Sequence, residues 1–163
     1  MSQKPTAKLI FTHPIHFLAF GFGSGLSPVA PGTAGTLVGI PIYMMMAGLS
    51  LSTYAVILLL LCVLSVFIAG KSSQQLGVHD HGGIVIDEIV GFLLTMSLAP
   101  EGWVWIVAGF VLFRLFDILK PWPIKTMDRH ISGGLGIVLD DLMAGIYGGL
   151  SLLFVEWLVN QFS

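Results

Sequence analysis

Long apolar stretches joined by short polar connections dominate the chain and predict a series of hydrophobic helices. The stretches lie at Ala34–Leu49, Tyr54–Gly70, Ile84–Ala99, Trp103–Leu119 and Asp140–Val159. Several are shorter than the roughly 20 residues that an upright membrane-spanning helix needs. Pro41 lies inside the first stretch, which is compatible with a kinked helix or with a re-entrant segment. The pattern predicts an all-α, polytopic membrane bundle of about four to five transmembrane helices with short loops, and an interfacial helix over His13–Phe22 is a further candidate.

The composition agrees with a membrane location. The chain has 163 residues, of which 55% are hydrophobic, and a mean hydropathy of +0.92, whereas soluble domains are roughly 45–50% apolar. This length predicts a single membrane-embedded domain over residues 1–163. Cys62 is the one cysteine, so no disulfide can form within the chain.

The basic residues predict the orientation in the membrane. Lys4 and Lys8 precede the first helix, Lys71 follows the second, Lys120, Lys125 and Arg129 follow the fourth, and Arg114 lies inside the fourth near that same end. Because lysine and arginine are enriched in cytoplasmic loops, this side is predicted to be cytoplasmic. Seven of the nine acidic residues share it, namely Asp80, Asp87, Glu88, Asp117, Asp128, Asp140 and Asp141.

Two similar hexapeptides, Ile84–Ile89 and Ile137–Leu142, each place two adjacent carboxylates in an apolar run. Small residues follow one turn later in both, which would let two helices approach closely. Clustered like charges need a cation or a proton between them, and acidic groups in membrane segments are candidates for function. Oxygen ligands without a cysteine or histidine cluster favour Mg²⁺ or Mn²⁺ over zinc or copper. The pattern predicts a site for one or two Mg²⁺ ions, with Asp87, Glu88, Asp140 and Asp141 as ligands.

A glycine-, serine- and proline-rich segment, Gly21–Thr36, leads into the first predicted helix. Backbone N–H groups in such a loop, together with a helix N-terminus, can hold a phosphate. A re-entrant turn in which Thr33 or Thr36 caps the helix fits the same residues.

A second polar segment, Val78–Gly83, leads into the first acidic pair and contains His79, Asp80 and His81. These side chains could serve as ligands or as acid and base. A solvated loop of turn-forming residues is the alternative.

Arg114, Asp117 and Lys120 are spaced to line one helical face. An arginine–aspartate pair beside a lysine is suited to binding phosphate. A ladder of salt bridges at the helix end, with cations that reach toward water, is the alternative.

Two functional classes follow from this polar face: a lipid-phosphate hydrolase and a small cation transporter that uses the paired carboxylates. Transporter carboxylates are expected near the bilayer midplane. Here the acidic pairs lie at helix ends, close to basic residues, which favours the hydrolase. No nucleic-acid partner is expected.

The combined motifs resemble the phosphatidylglycerophosphatase A family. The resemblance rests on Gly23–Thr36, Val78–Gly82, Asp87–Gly91, Phe113–Pro123 and Gly136–Gly145, and it covers about residues 14–157 in the expected order. It implies Mg²⁺-dependent hydrolysis of phosphatidylglycerophosphate to phosphatidylglycerol and phosphate in a bacterial inner membrane, with the active site facing the cytoplasm.

The site residues are assigned on this basis. Asp87, Glu88, Asp140 and Asp141 bind the metal, Asp80 or Asp117 completes the set, and these six are the predicted catalytic residues. Arg114 and Lys120 hold the phosphoryl oxygens, with help from Ser24, Thr33 and Thr36 in the loop, while Lys125 and Arg129 hold the phosphodiester. Attack by metal-activated water is the expected chemistry, and a phospho-aspartyl intermediate is the alternative.

Overall fold

Helices joined by short turns make up the residues that the computed structural model of the protein describes, which are 5–78, 81–126 and 131–162. The α-helices are α1 (Ala7–Thr12), α2 (Pro14–Ala19), α3 (Pro31–Met46), α4 (Leu51–Leu76), α5 (Ile86–Thr95), α6 (Trp103–Leu119) and α7 (Gly133–Phe162). Short 3₁₀ segments occupy Gly21–Leu26 and Met96–Leu98. These elements confirm the predicted all-α class.

Two of these helices, α4 and α7, are long and apolar enough to cross a membrane. The helices α3 and α6 have 16 and 17 residues, and α5 has only ten. Large apolar side chains are exposed along the outer surface, among them Val63 and Phe67 of α4 and Val104 of α6. The bundle therefore has the apolar exterior of a membrane protein, and length together with composition identifies two of its helices as candidate spans.

The helix ends differ from the sequence predictions in two places. The helix α3 begins at Pro31 and runs through Pro41 without a break. The helix α7 begins at Gly133, although the apolar stretch was predicted to begin at Asp140. The backbone of Gly134 packs against the Val66 carbonyl and Gly70 of α4, and this interhelical packing outweighs the low helix propensity of glycine. Asp140 and Asp141 thus lie about two turns inside a helix rather than at its start.

The helix α5 is central, with α3, α4, α6 and α7 packed around it. The neighbouring helices can approach α5 closely because the positions in contact carry glycine. Gly39 of α3 lies against Phe92, and Gly91 of α5 lies against Phe113 of α6 and the Asp141 carbonyl of α7. Such small-residue contacts let backbones approach within a membrane bundle, and they bring α5, α6 and α7 together at one end.

The N-terminal segment that contains α1 and α2 holds the start of α5 in place. The Val85 amide donates to the Ala19 carbonyl at 2.8 Å, directly before the first acidic pair. The segment is anchored on α4 by a 2.9 Å hydrogen bond between His16 Nδ1 and the Ser72 hydroxyl. The sequence indicated only an interfacial position for His16, but its side chain is 2% exposed. Burial, and secondarily the neighbouring His13, lower the pKa of His16.

Candidate active site

Three of the predicted metal ligands meet at the packed end of the bundle. Asp87 and Glu88 lie in the first turn of α5, and Asp141 faces them from α7. One carboxylate oxygen from each lies within 4.8 Å of the others. Asp87 is 6% exposed and Asp141 is 4% exposed. Because Gly91 has no side chain, the α7 backbone at Asp141 can lie directly against α5, and this contact brings the carboxylates of two helices into one group.

The donor set of this acidic cluster (Asp87, Glu88 and Asp141) fits a hard divalent cation. Among the described residues, Asp141 Oδ1 and Glu88 Oε2 are buried without a hydrogen-bond partner. Buried carboxylate oxygens are costly in free energy unless a partner compensates their lost hydration. An all-oxygen set of carboxylates is the type of ligand that Mg²⁺ uses. The chemistry of the cluster therefore matches the predicted metal.

Arg114 stands beside the cluster on the last turns of α6. It forms an ion pair with Asp117, and its Nη1 lies 3.8 Å from Glu88 Oε1. Both Arg114 and Glu88 are about 14% exposed at their side chains. Arg114 Nε, which is buried, has no hydrogen-bond partner among the described residues. The guanidinium thus combines a fixed position with an unused donor near the acidic cluster.

The N-terminus of α3 completes this side of the cluster. Gly32 is the second residue of α3, and a methyl group at its Cα would collide with Glu88 Oε1 and lie 3.0 Å from Arg114 Nη1. The first amides of a helix carry no intrahelical acceptor and attract anions. The structure therefore places helix N–H groups, an arginine and a carboxylate next to one another.

The two side chains of the second acidic pair, Asp140 and Asp141, have different neighbours. Lys120 Nζ lies 2.5 Å from Asp140 Oδ2, and among the described residues Asp140 is outside the acidic cluster that contains Asp141. Adjacent helical residues project about 100° apart, which explains the division. Lys120 follows α6 with a left-handed backbone (φ 41°), and the Tyr147 hydroxyl of α7 donates to the Trp122 carbonyl of the same turn at 3.2 Å.

The predicted loop residues are only partly directed toward the acidic cluster. The Thr36 hydroxyl is fully buried and donates to the Gly32 carbonyl at 2.9 Å. The Ser24 hydroxyl lies 3.5 Å from the Phe20 carbonyl, within the 3₁₀ segment. Thr33 is half-buried in the first turn of α3. The first turn of α3 is therefore the part of the loop closest to Glu88 and Arg114.

The remaining predicted residues lie elsewhere. Lys125 is exposed beyond α6. Asp80, His79 and Arg129 lie outside the described residues. His81 accepts a hydrogen bond at Nδ1 from the Gly83 amide at 3.0 Å, and its ring lies against Phe20. In the structure His81 therefore supports the turn before α5.

Sequence reasoning missed two residues at this site, Gly32 and Thr95. Thr95 is 1% exposed, and its hydroxyl lies near backbone carbonyls of both α5 and α7. A signal was present in the spacing, since Asp87, Gly91 and Thr95 follow one another at four-residue intervals and so share one face of α5.

Comparisons with known proteins agree on one family. The family model described as Phosphatidylglycerophosphatase A matches residues 17–156. Phosphatidylglycerophosphatase A of Escherichia coli is 43% identical over 150 residues, covering 91% of this chain and 87% of the relative. The protein of the same name from Haemophilus influenzae is 40% identical over 160 residues, covering 95% and 96%.

A third relative carries a different name. It is a Bacteroides thetaiotaomicron protein provisionally named phosphatidylinositol-3-phosphatase, 35% identical over 148 residues, covering 86% of this chain and 92% of the relative. No solved structure matches the chain.

Proposed function

Because the chain belongs to the phosphatidylglycerophosphatase A family, we propose that it hydrolyses the terminal phosphomonoester of phosphatidylglycerophosphate to phosphatidylglycerol and phosphate. The observation that carries the proposal is the buried acidic cluster of Asp87, Glu88 and Asp141 beside Arg114. Phosphoryl transfer depends mainly on positioning and on charge stabilisation. A cluster that binds a cation next to a fixed guanidinium supplies both.

The acidic cluster would hold one or two Mg²⁺ ions, with Asp117 or Asp80 as the further carboxylate. A bound Mg²⁺ supplies Lewis-acid stabilisation of the phosphoryl oxygens and lowers the pKa of water. The chain's own contribution is the rigid support: Asp87 and Glu88 are fixed by the start of α5, and Asp141 by its packing on Gly91.

The phosphate would be oriented by groups on three elements. Arg114 of α6 offers the buried Nε donor, the first turn of α3 offers backbone amides at Gly32 and Thr33, and Lys120 offers an ammonium oriented by Asp140. Arg114 and the first turn of α3 meet at Glu88, while Lys120 lies against Asp140, the residue that precedes Asp141 on α7. Lys125 and Arg129 remain candidates for the phosphodiester of the substrate.

The substrate would enter from the cytoplasmic leaflet of a bacterial inner membrane. In this arrangement α3, α4, α6 and α7 would cross the bilayer, and the shorter α5, enclosed between them, would be the fifth crossing. The positions of Lys71, Arg114, Lys120 and Lys125 at one end of the bundle support a cytoplasmic active site. A lipid substrate then reaches the site with its headgroup already at the interface.

The direct test measures phosphate release from phosphatidylglycerophosphate by the purified full-length protein in detergent. We expect release with Mg²⁺ and none with excess EDTA. Phosphatidate and phosphatidylinositol 3-phosphate serve as comparison substrates under the same conditions. Folded protein that releases phosphate equally with Mg²⁺ and with EDTA would refute the metal site. Folded protein that releases none from phosphatidylglycerophosphate would refute the assigned substrate.

Lys120→Met tests the role of the second carboxylate of the α7 pair. We expect KM for the lipid to rise by about tenfold, because a charge-assisted contact to phosphate is lost, while the Mg²⁺ concentration for half-maximal activity stays unchanged. Asp140→Asn should give the same pattern in weaker form, since Asp140 orients the ammonium. An altered Mg²⁺ requirement in Asp140→Asn would instead make Asp140 a metal ligand.

A further inference from the structure

Thr95 connects the two helices that carry the acidic cluster. Its hydroxyl lies 3.1 Å from the Gly91 carbonyl of α5 and 3.2 Å from the Gly145 carbonyl of α7. Gly91 follows Asp87 by four residues, and Gly145 follows Asp141 by four. The hydroxyl therefore bridges the two helices one turn below the carboxylates on each.

The backbones of α5 and α7 touch at this same level. A methyl group at Gly145 would lie 2.5 Å from the Gly91 carbonyl oxygen, and one at Gly148 would lie 3.0 Å from Thr95 Oγ1. Thr95 is 1% exposed, so water does not compete for its hydroxyl. Glycine contacts permit the close approach, but they are not directional. The Thr95 hydroxyl shares its single proton between the Gly91 and Gly145 carbonyls, and its directional contact to Gly145 limits how far α7 can slide or rotate against α5.

We infer that Thr95 is a positioning residue for the acidic cluster: its bond across to α7 sets the separation between Asp141 and the Asp87–Glu88 pair, and thereby the affinity for the divalent cation. This inference rests on the proposed metal site. Residues that orient metal ligands without touching the metal commonly change its affinity by about 10–100-fold. Thr95 would act at the backbone, through the helix crossing rather than through a ligand side chain.

The test is direct Mn²⁺ binding to the full-length protein in detergent, followed by the electron paramagnetic resonance signal of free Mn²⁺. We expect Thr95→Val, which keeps the shape and removes the hydroxyl, to weaken Mn²⁺ binding by about tenfold. Thr95→Ser should restore wild-type affinity. The matched control is Ser65→Ala, because Ser65 is also fully buried but donates to the Cys62 carbonyl within its own helix; its Mn²⁺ affinity should not change.

Thermal unfolding in EDTA separates positioning from simple packing. If Thr95→Val lowers the melting temperature but binds Mn²⁺ as the wild type does, the residue is merely structural and the inference is wrong. Should Thr95→Val not fold, Gly148→Ala displaces the same hydroxyl and should also weaken Mn²⁺ binding; unchanged affinity there overturns the inference. A wild-type protein that binds no Mn²⁺ would overturn the metal site itself, which distinguishes the two failures.

Discussion

Asp141→Asn is expected to lower phosphate release by on the order of 10³-fold without loss of the fold. The amide keeps the size of the carboxylate but removes the charge that attracts a cation. In the absence of metal, Asp141 faces two like-charged groups from inside the bundle. Removing its charge therefore relieves repulsion, and we expect the melting temperature in EDTA to stay equal or to rise.

This combination of lost activity and retained stability is the signature of a functional cluster, since active sites hold charges that the fold alone would not favour. The neighbouring Asp140→Asn is the matched control, as it alters the adjacent residue of the same helix. Its activity at saturating substrate should remain within about tenfold of the wild type. Near-normal phosphate release by Asp141→Asn would contradict the acidic-cluster model, as would the same result for Asp87→Asn.

Gly32→Ala is expected to reduce kcat by about 10²-fold, although the substitution adds a single methyl group. The new methyl would collide with Glu88 Oε1 and crowd Arg114 Nη1. Glu88 can move away because its carboxylate is the end of a flexible side chain, so the free energy of unfolding should change little. The displaced carboxylate and guanidinium would no longer be placed for catalysis, and displacements of about 1 Å are enough for an effect of this size.

The control for this prediction is Gly48→Ala, just beyond the opposite end of α3. A methyl group there meets no atom of the described residues within 4 Å, so activity and stability should match the wild type. Steady-state kinetics in detergent and thermal unfolding would be measured on both variants. A Gly32→Ala protein with wild-type kcat would show that the first turn of α3 does not contribute to the site.

The sequence predicted the chemistry of the site better than its geometry. Carboxylates in an apolar run can be recognised as functional candidates without a structure, because burying a charge in a membrane costs free energy and such residues usually have a function. The Arg114–Asp117 pair was predictable for the same kind of reason, since a three-residue spacing on a helix fixes neighbours. The family resemblance, confirmed by the comparisons, then gave the phosphatase chemistry.

Contacts between helices could not be obtained in this way. The hydrophobic pattern of α7 does not reveal that Asp141 faces α5 while Asp140 faces Lys120, because that depends on the rotation of the helix in the bundle. The start of α7 at Gly133 was missed since glycine-rich segments usually form loops, and only packing on α4 makes this one helical. Thr95 and Gly32 act through backbone distances that no single segment encodes.

The division of the acidic cluster between α5 and α7 has a consequence for biosynthesis. Asp87 and Glu88 belong to α5, which is synthesised before α7, the helix that carries Asp141. A nascent chain is therefore inserted without the full charge repulsion of the finished site, which forms only when α7 docks on Gly91. The acidic cluster is therefore complete only once α7 has packed on α5, and a chain that stops before α7 has only the Asp87 and Glu88 part of it.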